Sequence, residues 1–277
     1  MGTPIARRLA EQGHDVMVWN RSPERLEGIS GHGLAVSVEL AQAVGHAELL
    51  ILTLSDAAAI DAVLFGGNPP PALAGRTVVQ LGTIGPDESR VLARRVGAVG
   101  GAYLEAPVLG SIPEAKSGTL IVMAGGEQAD YQRCLPVLQA LGSEPRRVGP
   151  VGQAAALKLA LNQLIASLTA GFAASLALVR AEGVDVALFM ELLRGSALYA
   201  PTFDKKLQRM LDGDYANPNF PLCHLLKDLR LFGAAAQQHG IDQGVLRAIE
   251  QLIARGVAAG LGGEDYSALY FTVSGAR

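Results

Sequence analysis

Two cysteines, Cys134 and Cys223, are all that 277 residues contain. They are too few and too far apart for a disulfide framework, so a reducing cytoplasm is the expected setting. An excess of positive charge is also missing. Lys and Arg number 23 against 26 Asp and Glu, a net charge of −3, and no basic cluster offers a footprint for nucleic acid or an anionic membrane. No secretory signal is expected, because the N-terminus reads straight into helix. The apolar run over 164–179 is only 16 residues long and carries Ser167, Thr169 and Ser175. Spanning a bilayer takes about 20 residues, so this run is expected to be a buried core or interface helix of a soluble protein. His14, His32, His46 and His239 lack metal-ligand spacing, and no metal site is expected. No Ser–His–Asp order suggests a hydrolase. What is present is apolar: 49% hydrophobic against 18% charged residues excludes intrinsic disorder, and 277 residues are long enough for two domains.

The first half alternates. Ile5, Ala6, Leu9 and Ala10 predict a helix with Pro4 in its first turn and Gly13 at its end. His14–Trp19 reads as a strand, followed by Asn20-Arg21-Ser22-Pro23 and a helix to about Ile29. Gly31-His32-Gly33 turns into a short strand near Leu34–Val36. Ser37 is expected to cap a helix with Leu40, Ala41 and Val44 inward. Residues 48–54 form a continuous apolar strand of the kind buried on both faces of a parallel sheet. A helix over 57–64, a proline turn at Pro69–Pro71 and a strand over 77–81 follow, and the alternation continues to Pro150. The pattern predicts a doubly wound α/β domain over 1–150. Beyond Gly152 the strand signal vanishes, and helices are expected at 152–180, 185–194, 202–212, 221–238 and 241–260. They make an all-helical domain over 151–277.

Lys158 and Asn162 open the long helix of that second part and share one of its faces. An ammonium in so apolar a stretch is costly to bury without partners, and burial lowers its pKa toward a range useful for proton transfer. The alternative is a lysine snorkelling from a core helix, satisfied by Asn162. At the end of the second strand, where an NAD site carries an acidic residue, stands Asn20, then Arg21 and Ser22. An uncharged group beside a guanidinium suits a 2′-phosphate and points to NADP(H), although Asn-Arg-Ser-Pro also makes an ordinary polar turn. Thr83 follows the strand over 77–81 at its carboxyl end, where it either contacts a ligand or caps the helix entered at Pro86. Leu109-Gly110-Ser111 reads as a tight turn whose successive N–H groups suit a carboxylate, or as a simple hairpin-like connection. Gly118-Thr119-Leu120 is expected to begin the next strand. Lys227-Asp228 on a helix is normally a solvated pair, and His224, three residues before Lys227, reads as structural.

The start of the chain is unusual for such a fold. A dinucleotide-binding domain begins with a strand that delivers a Gly-x-Gly-x-x-Gly loop into its first helix. Met1-Gly2 looks like the tail of that loop, with the strand and the first two glycines absent. A start codon assigned too late and a truncated chain are the competing explanations; the first is favoured because the other motifs are intact.

In order, Met1-Gly2, Trp19-Asn20-Arg21, Thr83-Ile84-Gly85-Pro86, Glu105-Ala106-Pro107-Val108, Gly118-Thr119-Leu120, Lys158 with Asn162, and Lys227-Asp228-Leu229 resemble the β-hydroxyacid dehydrogenase family. The closing Asp265-Tyr266-Ser267-Ala268 is similar as well, so the resemblance spans the chain. Leu109-Gly110-Ser111 and Phe220-Pro221 beside Lys227-Asp228 look most like its glyoxylate/succinic semialdehyde reductases. The resemblance implies a small-molecule substrate, NADP(H), a general acid at Lys158 and a substrate contact at Asn162. It places Phe220 and Asp228 at the substrate pocket together with Leu109, Gly110 and Ser111. Met1, Gly2, Asn20, Arg21, Ser22, Leu54, Thr83 and Lys227 fall on the cofactor side. The family's usual serine is Leu109 here, which removes one hydroxyl contact. A homodimer or homotetramer is expected. The rival readings are an imine reductase, against which Lys158 argues, and a non-catalytic dimeric scaffold.

Overall fold

The computed structural model describes residues 1–29, 33–67 and 70–275. The Gly31-His32 turn, His32 itself and the start of the proline turn at Pro69 lie outside the described residues. The chain packs as two compact units, Met1–Lys158 and Leu159–Arg277.

The first unit is α/β, as the alternation predicts. Helix α1 (Gly2–Glu11) buries Ile5 and Leu9 and ends where Gly13 takes φ +85°. Strands β1 (Val16–Val18) and β2 (Leu34–Val36) pair in parallel. Between them only a short 3₁₀ turn, Pro23–Leu26, stands where a helix to Ile29 was expected. Helix α2 (Leu40–His46) buries Val44 while Ala41 faces solvent. Ser37 does not cap it directly: its hydroxyl accepts from the Glu39 N–H, one residue before the helix.

Next come β3 (Leu49–Leu52), α3 (Ala57–Phe65), β4 (Thr77–Gln80), α4 (Pro86–Ala98) and β5 (Ala102–Glu105). They are followed by β6 (Val108–Leu109), α5 (Ile112–Ser117), β7 (Ile121–Gly125), α6 (Gln128–Leu141) and β8 (Arg146–Gly149). The main sheet runs β3-β4-β5-β7-β6, with β8 on β7. It is mixed: β7 is antiparallel to β5 and β6.

Strand β3 departs from expectation. Leu50 and Leu52 are buried, but Leu49 and Ile51 only half so. The reason is pairing, because β3 has β4 on one side and no hydrogen-bonded strand on the other among the described residues. The β1–β2 pair stays a separate sheet, and Val16, Met17 and Val18 are likewise half-buried. The break between β1 and β3 falls where the doubly wound order has its central first strand.

The second unit is helical. It takes most of α7 (Gln153–Ala181), then α8 (Val186–Arg194), α9 (Pro201–Asp212), α10 (Leu222–Gln238), α11 (Gly244–Ala258) and α12 (Leu269–Ser274). Helix α7 has the length and apolarity of a membrane span, yet Ala166, Phe172, Ala173 and Leu176 lie in the unit's core. Its other face is not buried as the apolar run suggests: Leu164, Leu168 and Leu178 are exposed.

One ion pair ties this unit together. Lys206 Nζ on α9 lies 2.8 Å from both oxygens of Asp265, which is fully buried and also accepts from the Ser267 N–H and hydroxyl. The ammonium also sits 4.2 Å from the Tyr266 ring centre. Burial alone would raise the Asp265 pKa, but the Lys206 ammonium and the Ser267 donors hold the carboxyl below the usual carboxylate range. Its stabilising contribution is therefore present above its unfolded value near pH 4 and is lost as pH falls through the lower folded value. Lys206→Met strands that carboxylate and should cost about 3–5 kcal/mol, read as a lowered urea midpoint at neutral pH. A change below about 1 kcal/mol, the size of a surface pair, would show that the pair carries no such weight.

Candidate functional site

The loops after the carboxyl ends of β1, β3 and β4 carry most of the expected cofactor residues. Helix α1 begins there with no side-chain cap and no acidic residue in its first turn, so its leading N–H groups suit an anion. Gly2 approaches the loop after β3 closely: a Cβ on it would fall 2.8 Å from Thr53 Oγ1. A Cβ on Gly82 would fall 2.5 Å from the Leu54 carbonyl. The β3 and β4 loops are thus in contact, and Gly2 meets the first of them. The residue pattern does not single out Thr53 or Gly82; a glycine two residues past the end of β4 is the signal that points to the second of them.

After β1, the Asn20 Oδ1 accepts from the Ser22 N–H at 2.9 Å, so that oxygen serves the turn. The Asn20 amide nitrogen and the exposed Arg21 guanidinium form no hydrogen bond or ion pair among the described residues. Two donors side by side fit a phosphate. Thr83 is not the helix cap, because the residue that caps α4 is Gly85, whose N–H is met by Glu88 Oε2 at 2.6 Å.

The 109–111 segment differs from the expected tight turn. Leu109 ends β6, and Ser111 is the N-cap residue of α5, its N–H donating to Glu114 Oε2 at 2.8 Å. Glu114 thereby takes one of the amides assigned to a carboxylate. Gly110 bridges the two at φ +127°, a left-handed backbone that glycine accepts most readily, and a Cβ there would meet the Leu120 side chain. Strand β7 begins at Ile121, one residue after Gly118-Thr119-Leu120.

Lys158 sits one turn into α7 and is only 8% exposed. Asn162, one turn later, is 2% exposed. In the second unit, Asn162 Nδ2 donates to Asp228 Oδ2 at 2.6 Å. Lys227 Nζ stands 3.1 Å from the other oxygen, at ion-pair distance but outside hydrogen-bond geometry. Lys227-Asp228 is therefore no solvated pair: Asp228 is 3% exposed. Asn162 Oδ1 is buried with no hydrogen-bond partner among the described residues, a cost of the kind that marks functional sites. Phe220 is half-buried, its ring edge-on to Tyr266 at 5.9 Å. His224 is exposed.

Other reactive groups are quiet. Burial pushes the Cys134 thiol up to about 11, so it is no thiolate at neutral pH. Among the described residues no cluster of His, Cys, Asp and Glu could hold a metal.

An uncapped helix beside the carboxyl ends of parallel strands, backed by close-packed glycines, is the arrangement of a dinucleotide-binding protein, and the buried Lys158 closes the same unit. Comparison with known proteins agrees. The family model of the NAD binding domain of 6-phosphogluconate dehydrogenase matches residues 1–152. That of the NAD-binding domain of NADP-dependent 3-hydroxyisobutyrate dehydrogenase matches 152–273. A 2-hydroxy-3-oxopropionate reductase of Escherichia coli is 34% identical over 97% of this chain and 92% of its own. Glyoxylate/succinic semialdehyde reductase 1 of Arabidopsis thaliana is 29% identical over 100% and 96%. A 3-hydroxyisobutyrate dehydrogenase structure from Salmonella typhimurium superposes with TM-score 0.87 at 25% identity, covering 97% of this chain and 95% of that one. The chain belongs to the β-hydroxyacid dehydrogenase family, and its cofactor is a nicotinamide dinucleotide.

The Asn162–Asp228 bond has a measurable worth. Asn162→Ala removes the donor and leaves a buried carboxylate oxygen short of a partner, which should lower stability by about 1–3 kcal/mol. Denaturant unfolding checks it; an unchanged midpoint would mean that Asp228 has re-paired.

Proposed function

We propose that this chain is an NADPH-dependent reductase that converts a small aldehyde acid, such as glyoxylate or succinic semialdehyde, to its hydroxy acid. The observation that carries the reading is a lysine 8% exposed on an otherwise uncharged stretch of helix, one turn before the buried, half-satisfied Asn162. When bound, the reduced nicotinamide supplies a hydride to the carbonyl carbon. Lys158, as ammonium, gives its proton to the developing alkoxide oxygen. Asn162 and the 109–111 segment (Leu109, Gly110 and Ser111) take the role of orienting the substrate carboxylate, and Phe220 and Asp228 that of shaping the pocket and supporting the lysine. Met1 and Gly2 at the start of α1 hold the pyrophosphate. Asn20, Arg21 and Ser22 take the 2′-phosphate, and Leu54, Thr83 and Lys227 line the nicotinamide side. The reading extends to a cytoplasmic homodimer or homotetramer, supported by the leucines that α7 leaves exposed.

Two substitutions separate the parts of this reading. Lys158→Ala should cut turnover by about 10²–10⁴-fold and leave NADPH affinity nearly unchanged in a fluorescence titration; full turnover would remove Lys158 from the mechanism. Arg21→Ala should weaken NADPH binding by about tenfold, the worth of one charge-assisted contact, with NADH affinity altered less than about twofold. Equal losses for both cofactors would dissociate Arg21 from the 2′-phosphate.

A further inference from the structure

Helix α7 starts without a cap of its own. The residue before it is Gly152, at φ +99°, and it has no side chain to meet the first-turn amides. A larger residue there would run into the Arg90 guanidinium. An acceptor therefore has to come from elsewhere in the unit, and it comes from the end of β5. Glu105 Oε1 accepts from the N–H groups of Gly152 and Ala154 at 2.8 Å each and of Ala155 at 3.2 Å. The other oxygen accepts from the Ser89 hydroxyl on α4, which is itself bonded to the Tyr103 hydroxyl at 2.9 Å.

The whole chain of groups is buried, with Glu105 2% exposed and Ser89 at 0%. Burial raises the Glu105 carboxyl above the usual range, against the pull of its four donors. The backbone is cut to admit it: a side chain on Gly125 of β7 would strike Glu105 Oε1. The carboxylate thus joins three elements, β5, α4 and the first turn of α7, within one unit. Lys158 is only three residues past Ala155, about 4.5 Å further along the helix axis.

We infer that Glu105 is a positioning residue for the proton donor: by capping α7 in place of the absent N-cap side chain, it fixes the turn from which Lys158 projects. Its sequence position, 53 residues before Lys158, conceals the link. The inference rests on the reading of Lys158 as general acid. A carboxylate that served stability alone would lower the melting temperature and leave the chemical step intact. One that positions the donor lowers turnover while the protein remains folded, because a misplacement near 1 Å can cost about 10²-fold.

A double-mutant cycle on the full chain decides, with turnover and KM for an aldehyde acid measured well below each variant's melting temperature. Glu105→Ala should lose about 10- to 100-fold in kcat, with KM changed less than about threefold. In the Lys158→Ala background the same substitution should cost less than about threefold more, since the group it serves is gone. Losses that multiply would overturn the inference, as would an unaltered kcat in Glu105→Ala while Lys158→Ala is impaired. Full turnover in Lys158→Ala would instead sink the general-acid reading, and this inference with it. If Glu105→Ala does not fold, Glu105→Gln enters the cycle. It keeps an oxygen for the amides but not the charge, its single loss should be about tenfold, and the same non-additivity is required of it.

Discussion

The first-turn amides of α7 at Ala154 and Ala155 are buried and preceded by a glycine with no side chain to offer, so they take their acceptor from another element, and this constraint shapes the first unit. Helix α7 is 29 residues long, and its first turn is met by one carboxylate at the end of β5. Meeting it required a glycine on β7 to clear the path, a hydroxyl on α4 to satisfy the second oxygen, and a tyrosine on β5 behind that hydroxyl. Apart from Tyr103 and Glu105, which share β5, these residues lie far apart in the chain. Together they define where α7 leaves the sheet.

The second unit handles buried charge in the same manner, by pairing. Asp265 takes both oxygens to Lys206 and adds the donors of Ser267. The same segment bonds Leu222 N–H through the Glu264 carbonyl and Tyr266 N–H to the Phe220 carbonyl. The buried pair therefore sets the entry to α10, the helix that carries Lys227 and Asp228. Asn162 and Asp228 differ, because each keeps a buried oxygen without a hydrogen bond among the described residues. A polar pair left half-satisfied inside a well-packed helical core is costly as structure alone and has its natural account in ligand binding.

Much of this was legible in the residues. Alternation to Pro150 and its loss beyond Gly152 predicted an α/β part followed by a helical one, since periods of 2 and 3.6 leave different apolar patterns. The spacing of Lys158 and Asn162 placed both on one face. Shorter-range details failed where neighbours decided them. Leu49 and Ile51 look doubly buried in sequence but are half-exposed because no strand is bonded beyond β3. Asn20 with Arg21 reads either as a phosphate contact or as an ordinary polar turn, and its oxygen does close that turn by accepting from the Ser22 N–H. Gly110-Ser111 reads as a turn with free amides, but Glu114 reaches back for one of them.

Sequence by itself determined the order of elements, the family and the candidate proton donor, because these rest on periodicity and on motifs local in the chain. Tertiary structure alone decided which polar groups meet. Glu105 is an unremarkable acidic residue until the sheet carries it beneath Gly152, and Asp228 belongs to an ordinary Lys-Asp pair until packing buries it against Asn162. Hydrogen bonds between residues 47 or 66 positions apart leave no periodic trace, and only the folded backbone brings donor and acceptor within 3 Å.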